Sequence, residues 1–323
     1  MVWFKQLQAF RFTAPGDKQA SDLQEALGKQ IIGDCPPGVA VSYGWQSPVS
    51  DHNQELLVSI GDYHCGCFSV AKRLLPLDVI RQTVAERVAQ MESEQGIEVS
   101  KRERRRMVEE AHFELLPKAF IQRKSCMVIW DWKNQMMFVS TAQQAMLDSL
   151  TASLAFCVPG WMIKICKPEQ NVERSLTGWL KESSSLPDGL TWGDACQLAD
   201  PKDRFCSIRF AGNELQSQSV LQHLQDGMWV KQAQLQWQER IRFVLNPNFT
   251  LSQIKYLDLE KDLDDSESPR DKMMTEIALL APLYNELMQF LANELGGMAE
   301  LKSKTEVSSD ALVSPFAEEA SEV

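Results

Sequence analysis

Residues 77–120 read LDVIRQTVAERVAQMESEQGIEVSKRERRRMVEEAHFELLPKAF, and two helices separated by a break are legible in them. Val79, Ile80, Val84, Val88 and Met91 recur at helical spacing, which predicts one helix over 77–95 with a single apolar stripe. Gly96 interrupts it. Ser100 followed by Glu103 has the capping-box spacing and predicts a second helix over 101–116, closed by Pro117. Such a pair makes a hairpin about 25–28 Å long at ~1.5 Å per residue, enough to project from a body like a finger.

Strand signals flank the finger. Before it, residues 2–12, 55–60 and 64–71 read as strands, with Gly61-Asp62 as the turn between the last two and a helix over 17–30. After it come strands at 125–132 and 135–140 joined by Lys133-Asn134, a helix at 142–155 and a strand at 161–167. A boundary falls at 168–171. Beyond it the pattern gives helices at 171–182 and 217–225, strands near 205–210, 228–237, 239–246 and 249–257, and a long helix over 272–295 stopped by Gly296-Gly297. From Met298 onward the chain is polar, acidic and without period, which predicts disorder. The expected class is α+β: a first unit over 1–168 with a helical insertion at 76–120, a second over 169–297, and a tail over 298–323.

The composition, 44% hydrophobic and 24% charged over 323 residues, is that of a soluble globular protein with a full core. No segment resembles a signal peptide. The most apolar run, Leu150–Cys166, contains Pro159, Gly160 and Lys164 and falls short of the about 20 apolar residues a bilayer requires, so no membrane is expected. Eight cysteines without an export signal read as reduced, mostly buried thiols of a cytoplasmic protein. The pair in His64-Cys65-Gly66-Cys67 lacks the second ligand pair that zinc needs, so no metal is expected. His52, His64, His112 and His223 are scattered, and there is no HExxH, GxxxxGK[ST] or GxGxxG. The acidic stretch from Asp262 to Asp271 could be imagined as the metal site of a nuclease, but it reads as a solvated link. The expectation is a protein without catalysis and without a cofactor.

The formal net charge of −11 argues against nucleic acid only until it is located. Residues 258–323 hold 16 acidic and 5 basic residues, and residues 1–257 are balanced at 28 of each. A neutral body can carry a local basic surface. The basic run lies in 101–124, where Lys101, Arg102, Arg104, Arg105, Arg106, Lys118, Arg123 and Lys124 face four acidic residues. Five of these open a helix, where the macrodipole disfavours each cation by roughly 0.3–1 kcal/mol, so local stability does not select them. Part of the run reads equally as a solvated face with Arg105–Glu109 and Arg106–Glu110 pairs. The functional reading is phosphate binding that carries no sequence preference. Arg240 and Arg242 alternate with Ile241, Phe243 and Leu245, which predicts a second basic face that Lys231 and Lys255 join. Phe120, beside the finger's end, is either a core anchor or a contact residue at a partner interface.

A set of short motifs runs in order through residues 1–297. They are Trp3-Phe4-Lys5-Gln6-Leu7, Gly44-Trp45, Leu75-Pro76 with Val79-Ile80, Leu115-Leu116-Pro117-Lys118-Ala119-Phe120, Leu176-Thr177-Gly178-Trp179, Leu235-Gln236-Trp237-Gln238-Glu239-Arg240-Ile241 and Glu294-Leu295-Gly296-Gly297. Together they resemble the RdgC family of bacterial recombination-associated proteins. The resemblance implies a horseshoe-shaped subunit with centre, tip and base. Two subunits would close tip-to-tip and base-to-base into a ring around double-stranded DNA, with single strands left open as a ligand. It further implies a nucleoid-associated homodimer that restrains the RecA recombinase and acts in replication fork repair. Phe120 would make the tip contact, and Lys118 with the basic run would face the hole. Two features depart from the family: Ala211-Gly212 stands where base-contact residues are polar or basic, and the acidic tail extends past the usual end. The alternative from the residues alone is an interaction scaffold whose finger binds an acidic protein.

Overall fold

The computed structural model describes residues 3–15, 20–49, 55–96, 98–182, 185–203, 205–212, 215–257 and 268–299. Strand β1 (Gln6–Thr13) buries Leu7 and Ala9 on one face and Phe10 and Phe12 on the other, so it can only lie inside a sheet with both sides covered. The other strands are β2 (Val41–Gln46), β3 (Leu57–Ile60), β4 (Tyr63–Leu74), β5 (Phe120–Asp131), β6 (Met136–Val139), β7 (Met162–Ile165), β8 (Leu190–Ala199), β9 (Ser207–Ala211), β10 (Trp229–Trp237), β11 (Ile241–Leu245) and β12 (Leu251–Tyr256). They form one sheet in the order β2-β4-β5-β6-β1-β12-β11-β10-β8-β9, with β3 beside β4 and β7 beside β1. Every strand pairing is antiparallel, which makes the fold α+β. The sheet crosses the boundary expected at 168–171, because Gln6 and Leu7 of β1 pair with Ser252 and Leu251 of β12.

Seven helices are described: α1 (Ala20–Leu27), α2 (Leu77–Gln95), α3 (Lys101–Leu115), α4 (Gln144–Cys157), α5 (Val172–Lys181), α6 (Gln218–Gln225) and α7 (Pro269–Glu294). Leu23 and Leu27 of α1 and Leu147, Leu150 and Leu154 of α4 pack on Phe10, Trp45, Phe68, Val128 and Trp130, covering one face of the N-terminal strands. On the opposite face, Ile277, Leu280, Tyr284, Leu287 and Leu291 of α7 join Leu7, Ile129 and Phe138 to the inner side of β10–β12, with α5 and α6 in the same core. The junction is pinned by polar contacts as well. The Tyr256 hydroxyl lies 3.0 Å from the Phe4 carbonyl and 2.5 Å from the Tyr284 hydroxyl, and the Trp3 indole N–H donates to Glu276 at 2.9 Å.

The finger forms as expected, with α2 and α3 inserted between β4 and β5. Gly96 caps α2 in the left-handed region at φ 65°, its amide bonded to Glu92 O at 2.9 Å, and the Ser100 hydroxyl accepts from the Glu103 amide at 3.3 Å. Ile80, Val84 and Val88 meet Met107 and Ala111 in a small core of their own. Val79, expected in that stripe, is exposed. Leu116–Lys118 is a 3-10 turn, so α3 stops one residue early.

Other expectations shift. β4 and β5 are 12 residues each and pair from Tyr63–Asp131 to Leu74–Phe120, which places Phe120 in a strand and begins β5 before 125. β2 and β8 were not expected, and α7 begins at Pro269 rather than 272. Met298 and Ala299, assigned above to a disordered tail, pair back: Met298 bridges Pro168, and the Ala299 amide donates to Lys167 O at 2.9 Å. The rest of the tail, 300–323, lies outside the described residues.

Candidate nucleic-acid interface

Met107 and Ala111 turn toward α2, and helical periodicity then sends Arg102, Arg105 and Arg106 to the far side of α3. These three line a shallow depression of about 460 Å³ together with Ser100, Glu103 and Glu109. Their pairing differs. Arg106 meets Glu110 at 3.0 Å, one of the two pairs expected, whereas Arg104 reaches back to Glu92 of α2 at 3.3 Å. Lys101, Arg102 and Arg105 are exposed and have no salt-bridge partner among the described residues, so the expected Arg105–Glu109 pair is absent there. An exposed ion pair contributes about 0–1 kcal/mol, so even the paired arginines remain available to a phosphate.

At the foot of the finger the cations do structural work. Lys118 and Arg87 share Glu114, at 3.5 and 2.6 Å, and together they hold its carboxyl below the usual range, Arg87 foremost. Arg123 lies 3.9 Å from Asp34 and donates to Gly33 O at 3.4 Å. Arg73, which the sequence reading passed over, is buried and donates to the carbonyls of Pro117 at 2.9 Å and Cys35 at 2.8 Å, with Leu116 and Ala119 at 3.3 and 3.4 Å. The only sequence signal was the alternation Phe68, Val70, Lys72, Leu74 against Cys67, Ser69, Ala71, which puts Arg73 in line with the inward-facing small residues.

The sheet register sorts the remaining cations by face. Lys124 shares parity with Cys126 and Val128, which puts it on the α4 side. Following the paired residues Val128–Val139, Gln8–Val139, Gln6–Ser252 and Ser252–Val244 leads along the same face to Arg242. There Arg242 pairs in register with Lys255 and Gln236 and donates to Gln236 Oε1 at 3.2 Å. Lys255 therefore joins Arg242, as expected. Arg240 does not share this face. Gln238 and Glu239 take positive φ of 48° and 56° in the turn before β11, which breaks the alternation, and Arg240 swings to the α7 side. It meets Glu286 at 3.2 Å and lies over the Trp237 ring.

Phe120 is 86% exposed and sits across from Leu74 at the end of the long β4–β5 hairpin, so it is no core anchor. Leu74 across from it and Ile121 next to it are exposed too, as are Leu77 and Phe113 of the finger helices. Ala211-Gly212 ends β9, which forms the edge of the sheet, and Phe205 just before that strand is 97% exposed.

Among the described residues no group of three or more His, Cys, Asp or Glu could hold a metal. Residues 262–267 of the acidic stretch lie outside the described residues, and Asp271 caps α7 with Ser268. Cys65 and Cys67 are buried in β4, and burial pushes the Cys65 thiol well up and the Cys126 thiol to about 12. No helix among the described residues is long and apolar enough to cross a membrane.

A family model described as "Putative exonuclease, RdgC" matches residues 2–298. The chain belongs to the RdgC family. Relatives named recombination-associated protein RdgC align along almost the whole length. That of Burkholderia cenocepacia is 27% identical over 301 residues, covering 92% of this chain and 96% of the relative. That of Shewanella halifaxensis is 26% identical over 302 residues, covering 93% and 99%, and that of Proteus mirabilis is 25% identical over 303 residues, covering 93% and 100%. The match spans both expected units of the RdgC chain and ends at Met298, which bridges Pro168.

Proposed function

We propose that this RdgC-family protein binds duplex DNA without regard to sequence, as a ring-shaped homodimer of horseshoe subunits that restrains RecA-driven recombination and has no catalysis of its own. The observation that carries this reading is the outer face of α3, where Lys101, Arg102 and Arg105 stand exposed without a salt-bridge partner among the described residues. Cations gathered at the end of the helix that disfavours them, and not neutralised, are fitted to an external polyanion. Relatives named for recombination support DNA as that polyanion, and the exposed Phe120, Leu74 and Ile121 support a contact between copies at the hairpin end from which the finger springs.

The test is a titration of duplexes of unrelated sequence at several salt concentrations. About six to ten phosphate contacts give a log–log slope near −5 to −9, equal for all sequences. Changing Lys101, Arg102 and Arg105 to Glu should weaken every duplex alike and flatten that slope by about 3. Wild-type protein whose binding is absent or indifferent to salt would sink the reading and favour an acidic protein as the finger's partner. Magnesium-dependent loss of duplex would restore the exonuclease.

A further inference from the structure

A groove of about 680 Å³ runs along the junction where β1 meets β12, and it is lined by residues of β1, β5 and β12 and of the loop that enters α4. Its lining contains no carboxylate and no aromatic ring. Two lysines reach it, Lys5 ahead of β1 and Lys124 of β5; both are exposed and neither has a salt-bridge partner among the described residues.

The hydrogen bonding leans towards donors. Ser140 Oγ already accepts from the Met127 amide at 2.8 Å, Thr141 Oγ1 from the Gln143 amide at 3.2 Å, and Ser252 Oγ from Asn246 Nδ2 at 3.0 Å. Gln6 Oε1 accepts from the Ala142 amide at 3.1 Å. Each of these oxygens already accepts one bond inside the fold, and no hydrogen bond is found among the described residues that takes their O–H or NH₂ protons. The four O–H and NH₂ groups, the amides of Gln143 and Gln253 and two ammonium groups thus offer the groove more donors than acceptors. Such a lining suits an anion rich in acceptor oxygens and offers nothing to an apolar cofactor or to a stacked base.

We propose that this groove seats a stretch of nucleic-acid sugar–phosphate backbone, with Lys5 and Lys124 each engaging a phosphate and Ser140, Thr141, Ser252 and Gln6 donating to the oxygens between them. The inference rests on the DNA-binding reading and adds a site away from the finger, with a residue, Lys5, that the sequence did not single out. The absence of an aromatic or carboxylate in the lining makes the contact blind to base identity. Arg242 and Lys255 extend the same sheet face past Ser252, so a backbone leaving the groove continues over cations.

The experiment compares three full-length proteins in the salt titration: wild type, Lys5→Gln/Lys124→Gln, and a control, Lys133→Gln/Lys181→Gln, which removes the same charge from exposed positions outside the groove and the finger. The proposal expects the groove variant to lose about 1.8 units of slope, roughly 0.9 for each phosphate contact, while the control keeps the wild-type slope. Unchanged melting temperature in both variants excludes a folding effect. Wild-type binding with an unaltered groove variant overturns the groove and leaves the DNA-binding reading standing; absence of wild-type binding overturns both. Pyrophosphate, added at constant ionic strength, separates the remaining source: if it binds wild type and not the groove variant while the DNA slopes of the two coincide, the groove serves a small free anion and the backbone proposal fails.

Discussion

Arg73 leaves β4 toward the finger and finds only backbone oxygen, the carbonyls of Leu116, Pro117, Ala119 and Cys35. Among the described residues it has no salt bridge to a carboxylate, so its role is to order these carbonyls, which belong to the finger's last turn and to the loop before β2. Removing it would leave buried acceptors unsatisfied, at a cost of about 1–3 kcal/mol or more. Arg73→Met should therefore lower stability by about 2–3 kcal/mol. The loss should appear first as faster amide exchange over 116–122, and Arg73→Lys should recover only part, because one ammonium cannot span four carbonyls. Wild-type exchange over 116–122 in Arg73→Met would remove Arg73 from the positioning of the finger. The sequence did not expose this residue, since a buried arginine and a solvated one look alike until the carbonyls arrive from positions 35 and 116–119. The exposed cations were legible because crowding of like charge at a helix start is visible in one dimension.

Elements built from near neighbours were read well, and those built from distant ones were not. The stripe of α2, its Gly96 stop and the Ser100–Glu103 cap are all local, and the helical hairpin followed. β2 escaped because its reason is a remote contact: a Cβ on Gly44 would lie 2.6 Å from Gln30 O, so glycine is required where residues 30–32 cross the strand. β8 escaped because its register against β10 shifts twice, which hides the alternation, and Gly193 there makes room for the Gln234 side chain. The face shared by Lys124 and Arg242 belongs to the same class, since it exists only through four strand pairings. The finger, by contrast, has a core separate from the sheet's, with five buried residues. Met107→Ala should cost about 2 kcal/mol, at the low end for a buried methionine, and open the finger alone. Amide exchange should rise across 77–115 while β1, β6 and β12 keep their protection. A uniform rise across the sheet would show that the finger is not a separate cooperative unit.

At the scale of the molecule, a balanced body carrying basic surfaces, an acidic C-terminal fifth and an exposed apolar end of the β4–β5 hairpin must be reconciled. Sequence-independent phosphate contacts are weakened by salt, so charge alone gives a complex that dissociates readily at high ionic strength. Closure around the duplex would change that, because a ring leaves a circle only by opening, while it can slide off a linear end. Phe120 is the residue on which this difference turns. It is 86% exposed, pairs across the strands with the exposed Leu74, and contributes nothing to a core. Replacing it should spare the fold and act only between copies. The expected result is that wild-type protein challenged with high salt stays on closed circular duplex longer than on a linear duplex of equal length and sequence. In Phe120→Ser the two lifetimes should coincide, with an unchanged melting temperature and a weaker self-association by sedimentation. Equal lifetimes on circle and line for the wild type would argue for an open clamp held by charge alone. A Phe120→Ser protein that still distinguishes circle from line would move the closing contact away from the finger, to the β9 edge where Phe205 stands bare.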